Sequence, residues 1–133
     1  MSAFSRTLGG FLAAGLLGLT ATTALAEPAG AQRAPCFFIN QWQGWKAPSP
    51  DVLYLKVNMH DIYKVELSAG SSQLQWPDVH LVSISRGSDS VCSAIDLDLA
   101  VADTNGFKEH LIAKSLTKLT PEEAAAIPKK YRP

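Results

Sequence analysis

From Cys36 to about Leu119, apolar and polar side chains tend to alternate with a period of two, the mark of half-buried strands. Cys36-Phe37-Phe38-Ile39-Asn40-Gln41-Trp42 predicts a first strand. Gly44, Pro48 and Pro50 break it across residues 44–51. Val52-Leu53-Tyr54-Leu55-Lys56-Val57 predicts a second strand, and Ile62-Tyr63-Lys64-Val65-Glu66-Leu67 a third. The tight turn Asn58-Met59-His60-Asp61 joins these two as a hairpin. Residues 68–78 read as a polar loop containing Gly70 and Pro77, with Leu74 and Trp76 tucked inward. Residues 79–85 predict a fourth strand, closed by Arg86-Gly87-Ser88-Asp89. Residues 91–101 give the cleanest alternation: Ile95, Leu97, Leu99 and Val101 on one face, Asp96 and Asp98 on the other. Asp103-Thr104-Asn105-Gly106 is a hairpin turn, because Asn-Gly accepts positive φ, and residues 107–119 form a sixth strand.

The tail changes character. Thr120-Pro121-Glu122-Glu123 combines an N-cap residue, a proline at the first helical position and a glutamate placed to complete a capping box. Alanines continue the helix until Pro128 stops it. The expected fold is all-β, a small antiparallel barrel or sandwich of about six strands with a short C-terminal helix.

The first 26 residues do not fit that pattern. Arg6 precedes an apolar stretch of about a dozen residues, and Ala24-Leu25-Ala26 offers a small-x-small cleavage site, so residues 1–26 read as a signal peptide cleaved after Ala26. The stretch is shorter than the ~20 residues a membrane-spanning helix needs. Residues 27–35 lack large apolar side chains and read as a flexible leader, with a single β domain over residues 36–133. The protein is then periplasmic or secreted, with no membrane span after cleavage.

Export changes the reading of Cys36 and Cys92, the only two cysteines. An oxidising compartment pairs them, and two cysteines allow one intramolecular bridge. The pair lacks the C-x-x-C spacing of redox-active thiols.

The run Cys36-Phe37-Phe38, the segment from Val52 to Leu67, the stretch Arg86-Gly87-Ser88 leading to Val91-Cys92, and the ending Leu119-Thr120-Pro121-Glu122-Glu123 resemble small secreted proteobacterial proteins known as a domain of unknown function. The resemblance covers most of the expected mature chain and implies export and a disulfide. Many such proteins look as though they carry two further cysteines, where this chain has Ser71 and Leu111. The resemblance implies no catalytic residue.

The whole chain has 12 basic and 12 acidic residues and a formal net charge of zero. That balance argues against a nucleic-acid or anionic-membrane surface as the main purpose. His60, His80 and His110 lie on separate elements without zinc-ligand spacing, so neither a metal nor another cofactor is expected. Asp78 and His80 could act as orienter and base, and Asp96 shares a strand face with Asp98. These are weak catalytic candidates, since no G-x-S-x-G elbow or phosphate-cradling loop accompanies them. The aromatic residues Trp42, Trp45, Trp76, Tyr54 and Tyr63 are the ligand-binding candidates; the alternative is that they simply pack the core. The leading expectation is a non-catalytic periplasmic binding or envelope-accessory protein, its partner a periplasmic protein or a small ligand. The alternatives are a small hydrolase-like periplasmic enzyme using His and Asp residues, and an oligomer-forming structural protein.

Overall fold

A computed structural model of the chain describes residues 35–84, 87 and 89–133. The expected signal peptide, the leader up to residue 34, and Ser85, Arg86 and Ser88 lie outside the described residues. The described strands are β1 (Phe37–Phe38), β2 (Trp42–Ser49), β3 (Val52–Val57), β4 (Asp61–Ala69), β5 (His80–Ser83), β6 (Ser90–Val91), β7 (Asp98–Ala102) and β8 (Lys108–Lys118), followed by helix α1 (Pro121–Ala126). Six of them form one antiparallel sheet in the order β2-β3-β4-β8-β7-β5, which curls into a nearly closed barrel. β1 and β6 pair separately. The all-β expectation is met, and between barrel and sandwich the molecule takes the barrel.

The β3–β4 hairpin shows how the alternation produces this shape. Leu53 faces Val65 and Leu55 faces Tyr63 across the ladder, and all four are buried. Tyr54 and Lys64 form the pair between them on the opposite face. Asn58 closes the turn at φ 53°, a left-handed conformation that asparagine tolerates. Leu67, Leu81, Leu99, Val101, Leu111 and Leu116 complete the same core. Each such burial is worth about 1.5–3 kcal/mol relative to exposure.

Three boundaries differ from those the sequence suggests. The first strand stops after Phe38, a 3-10 turn covers Ile39–Gln41, and β2 then runs through the segment expected to be a break. Pro48 is tolerated there because β2 is an edge strand, where a missing N–H removes no ladder bond. The fifth strand is also interrupted, by a 3-10 turn at Ala94–Asp96. Ile95 is 91% exposed there, so it leaves the inward set to which Leu97, Leu99 and Val101 belong. Trp76 does not tuck inward as Leu74 does; it is 54% exposed.

Cys36 and Cys92 form a disulfide. It sits just before β1 and just after β6, and so closes the small two-stranded ladder. Phe37 and Val91 pair in that ladder and are both buried. The Phe37 ring lies 4.8 Å from that of Tyr63. The Tyr63 hydroxyl donates to the Pro35 carbonyl at 2.9 Å, and burial pushes its phenol above the ordinary value, with Lys118 opposing and Asp61 adding to the shift. The ladder is thereby anchored to the barrel wall.

Candidate ligand-binding groove

The sheet ends at two edge strands, β2 and β5. Along the β2 edge lies an open groove of about 600 Å³. One wall is Trp45, Lys46 and Ala47 of β2; the other is the segment from Leu74 to Val79 that leads into β5; Lys130 and Tyr131 contribute from the C-terminal end.

Each wall is fixed by local chemistry. Trp45 pairs with Leu55 and packs its ring partly against the core. In the second wall, Ser71 accepts from the Gln73 N–H and so caps a 3-10 turn at Ser72–Gln75, whose Leu74 is buried. The Ser71 hydroxyl donates to Glu109 of β8, tying this loop to the barrel. Gly70 allows the loop to approach the β2–β3 turn: a Cβ there would lie 2.0 Å from the Pro50 carbonyl oxygen. Past the turn the chain passes Trp76 and Pro77 and reaches Asp78 at φ 63°, one of two described non-glycine residues with positive φ. Aspartate, like asparagine, visits this left-handed region as a single residue.

The third contribution depends on the capping box read from the sequence. The Thr120 hydroxyl accepts from the Glu123 N–H at 3.3 Å, and the Glu123 carboxylate accepts from the Thr120 N–H at 2.8 Å. Ile127 is buried, and Arg132 donates to the carbonyls of Ala125 and Ile127 at 2.6 and 2.9 Å. The turn at Lys129–Tyr131 is pinned in this way, and the Lys130 ammonium lies 4.4 Å from the Tyr131 ring centroid. Cations are attracted to aromatic faces at this distance.

The aromatic candidates therefore separate. Trp45 and Trp76 share the groove. Trp42 packs partly against the core and donates its indole N–H to the Gly44 carbonyl at 2.8 Å. Tyr63 is a core residue, and Tyr54 lies on the opposite face of the hairpin. Lys46, Lys130 and Tyr131 were not among the sequence candidates. The aromatic ring amid the basic ending Lys129-Lys130-Tyr131-Arg132 is the one signal that could have pointed to them.

The catalytic candidates do not come together. Asp78 lies in the groove, His80 is the exposed first residue of β5, and Asp96 lines a second groove. No hydrogen bond or ion pair joins these three side chains. The second groove, about 750 Å³, has Ile39, Ile84, Ile95 and Ile112 in its lining beside Asp96, Asp98 and Lys114. Asp96 and Asp98 do not share a strand face, because Asp96 ends the 3-10 turn. Its carboxylate accepts from the Cys92 and Ser93 N–H groups at 3.0 and 2.9 Å and from the Ser93 hydroxyl at 2.9 Å. The Cys92 N–H, the Ser93 hydroxyl and the Ser93 N–H hold it below the ordinary aspartate value. Asp98 lies 3.9 Å from His110 Nδ1.

Among the described residues, no three His, Cys, Asp or Glu side chains converge on a point that could hold a metal, and no helix is long and apolar enough to cross a membrane. No family model matches the chain, and no curated protein or solved structure matches it.

Proposed function

We propose that the chain is an exported, non-catalytic binding protein of the periplasm or cell envelope, and that the groove beside β2 is its ligand seat. The carrying observation is the meeting of Trp45, Trp76 and Tyr131 with Lys46 and Lys130 around one open cavity, from three distant stretches of sequence. Binding sites commonly join apolar and aromatic walls to a few placed polar groups. The Cys36–Cys92 bridge supports an oxidising compartment, as does the leader-like start of the sequence. On this reading the chain groups with the small secreted proteobacterial proteins it resembles. Asp78 and His80 serve here as groove-lining and surface residues.

The test is a titration of the mature protein, purified from the periplasm, with neutral and acidic oligosaccharides and with short acidic peptides, followed by tryptophan emission. A saturable change that is lost in Trp76→Ala is expected. Trp76 is half-exposed, so the variant keeps the core. Emission that no probe moves at millimolar concentration overturns the ligand seat. Turnover of generic ester, glycoside or phosphate substrates that disappears in His80→Ala overturns the non-catalytic reading.

A further inference from the structure

We propose that the groove takes an extended peptide, which adds to the barrel as a strand beside β2 and alternates apolar with acidic side chains; this rests on the groove being a ligand seat and names the class of ligand. The backbone of β2 carries the inference. In an antiparallel ladder, pairs that exchange hydrogen bonds alternate with pairs that do not. The Leu67 N–H donates to the Asp51 carbonyl at 2.8 Å, so Leu53 and Leu55 bond to β4, and Tyr54 turns its N–H and carbonyl toward Lys46 of β2. The Lys46 backbone therefore faces β3, and its neighbours turn the other way. The N–H and carbonyl of Trp45 and the N–H of Ala47 point off the sheet edge, on the wall of the groove. Among the described residues, no group forms a hydrogen bond with them. The other edge strand, β5, contributes no residue to this groove.

A donor, an acceptor and a donor in a row at strand spacing match the main chain of another strand. A phosphate accepts without donating, and sugar hydroxyls do not repeat at the strand period. A second copy of the barrel does not fit, because its sheet curls round beyond each edge and the groove is bounded by β2 on one side and residues 74–79 on the other. The pairing is also short. The register of β2 shifts between Lys46 and Ser49, and Pro48 within that stretch has no N–H to offer. The side chains then set the sequence of the guest. Guest residues opposite Trp45 and Ala47 share their face, and both of these pack partly against the core, so those positions take apolar β-branched side chains. The guest residue between them shares the outer face with Lys46, which is exposed, and a carboxylate there pairs with the ammonium across the strands.

The probe is a short capped peptide of alternating valine and glutamate, titrated into the full mature protein and followed by calorimetry and tryptophan emission. Saturable binding is expected. N-methylation of the valines removes the N–H that meets the Trp45 carbonyl and should weaken binding at least tenfold. N-methylation of the glutamates, whose N–H groups turn away from β2, should change it far less. Lys46→Glu should reverse the charge preference, so that a valine–lysine peptide binds a few-fold better than the valine–glutamate one. Lys46 is exposed, and an unchanged melting temperature confirms that the variant is folded. In hydrogen exchange, the peptide should slow the Trp45 and Ala47 amides and leave the Lys46 amide, already bonded to β3, unchanged. Equal binding of the two N-methylated peptides, or exchange at Trp45 and Ala47 that the peptide does not slow, overturns the strand pairing and leaves the ligand seat standing. A saccharide that moves tryptophan emission where the peptide does not has the same meaning. An unreversed preference in Lys46→Glu overturns the acidic alternation. Failure of every probe to move tryptophan emission overturns the ligand seat itself.

Discussion

At the scale of single residues, the groove depends on positions that carry no chemistry. Gly70 is the clearest. A methyl group at that position would meet the Pro50 carbonyl oxygen at 2.0 Å and the carbonyl carbon at 2.7 Å, and neither backbone atom can step aside cheaply. The Ser71 N–H donates to that same Pro50 oxygen at 3.2 Å, so the close approach also supplies a hydrogen bond. Gly70→Ala should therefore destabilise the protein by about 1–3 kcal/mol through overpacking. The loop carrying Trp76 should shift with it, giving a lower melting temperature and an altered tryptophan emission maximum. A variant as stable as the parent, with the same emission, would show that the β2–β3 turn yields freely. Nothing in the local sequence announces this contact, because it joins two turns that only the folded barrel brings together. Trp45 and Trp76 were legible as candidates from their amphipathic nature alone. Lys130 and Tyr131 were not, since their place in the groove is set by the buried Ile127 and by the Arg132 hydrogen bonds.

At the scale of elements, alternation located the strands and side-chain hydrogen bonds decided their ends. The β3–β4 hairpin and α1 match the sequence reading because one local signal dominates each: paired alternating runs in the first, a capping box in the second. The stretch from Val91 to Val101 misleads because Ile95, Leu97, Leu99 and Val101 fit a strand perfectly, while the competing signal is one carboxylate. Asp96 gathers two N–H groups and a hydroxyl, turns the chain, and sends Ile95 into solvent. The same hydrogen bonds hold the Asp96 carboxyl below its ordinary value. A carboxyl depressed in the folded state adds stability above the unfolded value, about 4, and that stability is lost as pH falls through the folded value. Asp96→Asn should therefore be less stable than the parent near neutrality, and the gap should shrink steadily below about pH 4. Thermal melts of both proteins across that range measure it. A gap that does not change with pH would mean that the charge on Asp96 contributes nothing to the turn.

At the scale of the whole molecule, the barrel and the two-stranded ladder are held by different means. The six-stranded sheet shares one continuous core, whereas β1 and β6 are two residues long and could not persist alone in water. Their persistence has two sources. Phe37 and Val91 insert into the core, and the Cys36–Cys92 bridge, 56 residues apart in sequence, removes much of the freedom the unfolded chain would otherwise recover. A loop of this length is worth about 4 kcal/mol in the chain-entropy model, against a total of about 5–15 kcal/mol for an ordinary domain. Cys92→Ser should accordingly lower the melting temperature by roughly 15–30 °C, and a reductant should do the same to the parent protein. The oxidised parent should weigh two hydrogens less than its reduced form. The bridge borders the second groove, whose lining includes Ile39, Ser90 and Ala94, and not the groove beside β2. Its loss should therefore lower stability while leaving ligand affinity intact at temperatures where the variant stays folded. If affinity fell in step with stability, the ladder and the ligand seat would be one cooperative unit, and the two-part construction argued from the strand pairing would be wrong.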